Sequence, residues 1–149
     1  MSKISSKGNI LIADDEESLR LVLNTVLRKD GYEVDAAENG IQALEMVKMR
    51  EYETVILDIR MPQMDGLQAF SEIHKIKPNL PIVLMTAYGS GQDAVEAMKR
   101  GAFDYIIKPF NVEQVKFYVA RAIRMKRLTS EVDQLFQEVK TLNQYKKVT

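Results

Sequence analysis

The chain has 149 residues with 21 basic and 21 acidic side chains, so no global field draws it toward nucleic acid or an anionic membrane. It has no cysteine, which excludes disulfides, thiolate nucleophiles and cysteine-ligated metal and fits a reducing cytoplasm. Its length suits one domain with a short appendage, and neither a signal-peptide core in MSKISSKGNI nor a run near the ~18 apolar residues of a membrane span occurs, so it reads as soluble and intracellular.

Asn9 to Ala13 (NILIA) reads as a strand that stops at the acids Asp14-Asp15-Glu16-Glu17. Leu19, Val22, Leu23, Val26 and Leu27 then recur at helical spacing, and Gly31 is placed to close that helix. Tyr32 to Ala37 reads as a second strand, Asn39-Gly40 as a turn, and Ile41, Leu44 and Val47 as the face of a second helix. Thr54-Val55-Ile56-Leu57 is apolar without alternation, as in a strand covered on both faces, and Asp58 closes it. The chain then breaks at Pro62 and turns through Asp65-Gly66 into a third helix (Leu67, Phe70, Ile73) that Pro78 stops. Pro81 to Met85 forms a fourth strand ending at Thr86, and Gly89 and Gly91 loosen the loop before a helix through Ala94, Val95, Ala97 and Met98 that ends at Gly101. Phe103 to Lys108 is a fifth strand stopped by Pro109, and Asn111 with Gln114 forms a capping box for the fifth helix.

Alternation of this kind implies βαβ units and a parallel sheet. The fold class is α/β, a flavodoxin-like (βα)5 doubly wound sheet of order 2-1-3-4-5 with an extended C-terminal helix. In that order the first and third strands are central neighbours at the switch point, and every candidate polar residue shares one edge. Asp14 and Asp15 follow strand one, while Asp58, Thr86 and Lys108 end strands three, four and five.

Three converging carboxylates stay ionised most cheaply beside a hard dication, and with no cysteine and one histidine Mg²⁺ (or Mn²⁺) fits better than zinc. A partly hydrated dication recruits phosphate oxygens, Lys108 supplies a cation and Thr86 a hydroxyl, and the small Ala87 leaves room for a phosphoryl group. Asp58 is the carboxylate placed to attack phosphorus and form an acyl phosphate.

The motifs LIADDEE, VILDIRMPQMDG, VLMTAYG and GAFDYIIKPF resemble the receiver domain of two-component response regulators, from about Asn9 to Ile123. The resemblance implies a signalling acceptor rather than an enzyme, with self-phosphorylation from small phosphodonors and self-dephosphorylation expected. By it Asp58 is the phosphoacceptor, Asp15 a direct Mg²⁺ ligand, Asp14 a ligand mainly through water, and the Arg60 backbone carbonyl a further ligand. Thr86 and Tyr105 are the switch pair, Lys108 binds the phosphoryl group, and the Lys108-Pro109 bond is cis. Arg60 and Tyr88 sit where the family varies its self-dephosphorylation rate. The implied phosphodonor is a sensor histidine kinase.

The expected organisation is an N-terminal tail over 1–8, the receiver over 9–123 and a signalling helix and tail over 124–149. Met125, Val132 and Val139 recur every seven residues, as do Leu128, Leu135 and Leu142, which suits a parallel two-stranded coil. A homodimer is therefore expected through this helix and the surface of the fourth helix, fifth strand and fifth helix, as in the front of nitrogen-regulator-type activators. Arg124, Lys126 and Arg127 read as a solvated face, with no nucleic-acid contact from these residues and no membrane contact. His74 receives no role, and the eight methionines read as gap-fillers. One rival is a haloacid-dehalogenase-like phosphatase, which places a second Asp two residues after its nucleophile where this chain has Arg60. The other is a receiver-like scaffold that is never phosphorylated.

Overall fold

The computed structural model describes residues 6–87 and 92–148; Tyr88, Gly89, Gly91, residues 1–5 of the expected tail and Thr149 lie outside the described residues. Strands and helices alternate as β1 (Asn9–Ala13), α1 (Glu17–Lys29), β2 (Glu33–Ala37), α2 (Gly40–Met49), β3 (Thr54–Asp58), α3 (Gly66–Ile76), β4 (Ile82–Thr86), α4 (Gln92–Lys99), β5 (Asp104–Ile107) and α5 (Val112–Val148). The strands form one parallel sheet in the expected order β2-β1-β3-β4-β5.

Because alternate strand residues face opposite sides, the sheet divides the core in two. Leu11, Val55, Leu57, Ile82 and Leu84 meet Val47 of α2, Phe70 and Ile73 of α3 and Ala97 of α4. Ile10, Ile12, Ile56, Val83, Met85 and Ile106 meet Leu23 and Leu27 of α1 and Val115 and Val119 of α5. Every residue of β3 is buried, as its unbroken apolar run implies.

Side-chain caps fix where the helices begin. Asn39 accepts the Gln42 N–H at 2.8 Å, and Asp65 accepts that of Gln68 at 2.9 Å. The Asn111–Gln114 capping box forms in both directions, at 2.8 and 3.1 Å. Gly31, at φ 105°, ends α1 as placed.

Three helix faces differ from the periodic reading. Val22 of α1, Ile41 of α2 and Val95 of α4 are exposed, and on α2 the buried positions are Gly40, Ala43 and Val47. Small residues take the inward positions on α2 because another segment comes close: the Gly40 N–H donates to the Met64 carbonyl at 3.2 Å, and a Cβ at Gly40 would collide with that oxygen. β5 is shorter than the expected Phe103–Lys108, although Phe103 and Lys108 still donate backbone hydrogen bonds to Ile82 and Thr86 of β4. His74 stacks on Phe70 with ring centroids 5.4 Å apart, and its Nδ1 is buried with no hydrogen-bond partner.

α5 is one helix of 37 residues with two characters. Val115, Val119, Ala122 and Ile123 are buried, whereas Met125, Leu128, Val132, Leu135, Val139 and Leu142 are between 47% and 61% exposed. Near the junction Arg127 donates from Nη2 to the Lys7 carbonyl at 2.7 Å, and its Nε lies 3.8 Å from Glu53. Lys7 lies two residues before β1 and Glu53 immediately before β3, so α5 leaves the domain at the N-terminal edge of the sheet.

Candidate functional site

The opposite edge carries the polar cluster. Asp14, the residue after β1, is fully buried, Asp58 at the end of β3 is 5% exposed and Thr86 at the end of β4 is 6% exposed. Asp15 is exposed, and the three aspartates each offer a carboxylate oxygen within 4.8 Å of the others. Lys108, just after β5, reaches between two of them: its Nζ is 3.1 Å from Asp14 Oδ2 and 3.2 Å from Asp58 Oδ2. The Lys108 N–H donates to the Thr86 carbonyl at 2.7 Å, which ties the cation's backbone to the end of β4. The Lys108-Pro109 peptide bond is cis.

Asp14 is held from several sides. Its N–H donates to the Ala37 carbonyl at 3.1 Å, and its Oδ1 accepts the Glu16 N–H at 2.8 Å. Its carbonyl accepts from Arg20 Nη1 of α1 at 2.7 Å. Asp58 Oδ1 receives the Arg60 N–H at a longer 3.4 Å.

Burial raises the Asp58 carboxyl, and the Asp14 carboxylate raises it further, to about 6 against the lowering pull of Lys108 and the Arg60 N–H. Burial works to lower Lys108, yet the Asp58 and Asp14 carboxylates outweigh it and hold the ammonium above its ordinary value. The nucleophile candidate is therefore an anion at neutral pH beside a cation that keeps its proton.

The chain after β3 folds back at once, with the Gly66 N–H donating to the Ile59 carbonyl at 2.8 Å. A Cβ at Gly66 would collide with the Asp58 carbonyl, so only glycine lets α3 start this close. Gln63 takes φ 69°, unusual for a residue with a side chain. The fold leaves an open cleft of about 490 Å³ beside Asp15, lined by Ile59, Arg60, Met61 and Pro62.

The structure thus brings Asp14, Asp15, Asp58 and Lys108 together, with Thr86 adjoining them and Ala87 exposed just beyond it. Tyr105 lies further down β5, half-buried against the α4 side of the core. Sequence reasoning missed Arg20, and it read Gly40 and Gly66 as turn residues without the close backbone approach that each permits. Arg20 left one signal: a cation in the first turns of a helix opposes the helix dipole and needs another reason to be there.

The family model for the response regulator receiver domain matches residues 10–120. Regulatory protein AtoC of Escherichia coli (strain K12) is 40% identical over 134 residues, 90% of this chain and 29% of its own length. Transcriptional regulatory protein ZraR of Klebsiella oxytoca is 42% identical over 121 residues, 81% of this chain and 27% of its own. The chain therefore spans less than a third of the length of these curated relatives. Among solved structures, the receiver domain of NtrX from Brucella abortus is 35% identical, with a TM-score of 0.73 over 77% of this chain and 98% of that one. NtrX from the same organism in complex with ATP gives 0.81 at 35% identity, over 86% of this chain and 29% of that one. Among the described residues, no helix is long and apolar enough to cross a membrane.

Proposed function

This chain belongs to the response regulator receiver domain family of two-component signalling, and on that premise we propose that Asp58 is its phosphoacceptor. The observation that carries the reading is the Lys108 ammonium bonded to both Asp14 and Asp58 where three carboxylates meet at the C-terminal edge of the sheet. In the transfer, an Asp58 carboxylate oxygen forms the new bond to phosphorus. The bond from phosphorus to the phosphohistidine nitrogen of a sensor kinase, or to the acetyl oxygen of acetyl phosphate, breaks, and its electron pair leaves with that donor.

The donor set fits Mg²⁺ or Mn²⁺. It offers hard carboxylate oxygens, and three carboxylates against the single Lys108 ammonium leave a formal charge of −2. Asp15 and Asp58 would hold the ion directly, Asp14 mainly through water, and Arg60 through its backbone carbonyl. When bound, the dication offsets the charge on the phosphoryl oxygens. Lys108 binds one of those oxygens, the Thr86 hydroxyl donates to another, and the buried walls of β3 and β4 restrict water at the acceptor.

The new phosphoryl group adds about −1.5 to −2 charge. Thr86 and Lys108 are drawn toward it, Tyr105 turns inward into the space released beside β5, and the α4-β5-α5 surface changes shape. Residues 9–123 act as the receiver, and residues 124–149 carry the change to a second copy or to an output domain. The exposed heptads from Met125 to Leu142 support pairing of two chains.

Incubation with acetyl phosphate and Mg²⁺, followed by intact mass, tests the reading. One added phosphoryl group, absent without the dication and absent in Asp58→Asn, is expected. Repeated release of phosphate would instead favour the phosphatase, and no reaction the scaffold; neither rival draws support from the family match. Transfer of label from a phosphorylated sensor kinase domain to the wild type, and not to Asp58→Asn, tests the donor class.

A further inference from the structure

Arg20 makes its contact with a backbone atom. Its guanidinium donates from Nη1 to the carbonyl oxygen of Asp14 at 2.7 Å. β1 ends at Ala13, so this carbonyl lies just past the regular ladder and needs a partner from elsewhere. The same carbonyl belongs to the planar peptide that joins Asp14 to Asp15. A guanidinium that pins this oxygen therefore fixes the plane from which the Asp15 Cα departs.

Asp14 has other restraints, through Ala37, Glu16 and Lys108. The exposed Asp15 lacks comparable ones: among the described residues its carboxylate makes no hydrogen bond and no ion pair. Its direction depends on the backbone that carries it. We infer that Arg20 is a positioning residue that aims Asp15 at the divalent-cation site by holding the Asp14–Asp15 peptide, without touching the cation.

This rests on the proposed Mg²⁺ reading, and it has a consequence that charge alone would reverse. A cation six residues from Asp14 repels a dication, so simple electrostatics predicts tighter Mg²⁺ binding when Arg20 is neutralised. Positioning predicts weaker binding, by about tenfold, the lower end for loss of a group that orients a metal ligand.

The test is calorimetric titration of the full chain with Mg²⁺ for the wild type, Arg20→Met, Asp15→Asn and the double variant. Met keeps much of the stem and removes both charge and donor. A roughly tenfold loss in Arg20→Met that disappears in the Asp15→Asn background supports the inference, because the effect then runs through Asp15. Unchanged or tighter binding in Arg20→Met overturns it, as does an equal loss with and without Asp15. If Arg20→Met does not fold, Arg20→Lys carries the same comparison. It keeps the charge but not the fork, so a loss supports positioning and wild-type affinity refutes it. A wild type that binds no Mg²⁺ would overturn the underlying reading instead, which separates the two failures.

Discussion

At Asp58, a carboxylate is held charged in a place that disfavours charge. Folding raises it to about 6 from an ordinary value of 3.8, so between about pH 4 and 6 the folded chain binds more protons than the unfolded one. Without a dication, this group's contribution to stability therefore falls as pH rises through that window, and the full penalty remains above it. Asp58→Asn removes the penalty and leaves the Lys108–Asp14 pair intact. It is expected to stabilise the metal-free chain by about 2 kcal/mol at pH 7.5, within the roughly 3 kcal/mol that two pKa units represent. Urea denaturation at pH 4.5 and 7.5 checks this, and a variant less stable than the wild type at pH 7.5 would contradict it. Lys108→Met is expected to do the opposite to the acceptor. With the ammonium gone, Asp14 and burial are opposed only by the Arg60 N–H, and the Asp58 carboxyl should titrate above 6 when followed by carbon-13 carboxyl NMR. A fall would mean that Lys108 is not its dominant partner.

The elements were legible where chemistry and period agreed, and less so where close approach overrode them. The β3 run, the Asn111–Gln114 box and the Gly31 stop are each recorded in a few adjacent residues, and each appears in the structure as read. The meeting of Asp14, Asp15, Asp58 and Lys108 was equally readable, because strand ends in a parallel sheet share an edge. The inward face of α2 was not: Ile41 looks like core by hydrophobicity, but the Met64 loop needs Gly40 beneath it, a requirement written in a segment more than twenty residues away. Gly66 is a similar case. Gly66→Ala places a methyl group against the Asp58 carbonyl, so α3 or the acceptor loop must shift. A destabilisation of about 2 kcal/mol or more is expected, with slower phosphorylation by acetyl phosphate than the wild type. Wild-type stability and rate together would show that the loop yields without strain.

At the scale of the molecule, six apolar side chains at heptad spacing line the outer part of α5 and are about half exposed in the single chain. Val132→Asp, at the centre of that stripe, is expected to weaken self-association at least tenfold in sedimentation while leaving the receiver's thermal midpoint unchanged, since the side chain touches no core residue. If association survives, the stripe is not the pairing surface. Beryllofluoride, which mimics the acyl phosphate, should change association of the full chain through α4-β5-α5; identical sedimentation with and without it would disconnect the two ends. Those ends face opposite ways. The acidic edge lies where the strands finish, and Arg127 anchors the outgoing helix where β1 and β3 start, roughly 17 Å away for strands of five residues at about 3.3 Å each. On the proposed reading, a phosphodonor docking at one pole and a second tail zipping along the other would not compete for space. A chain that pairs in this way would be open to loading while paired, and its conversion would not need to pass through a free monomer.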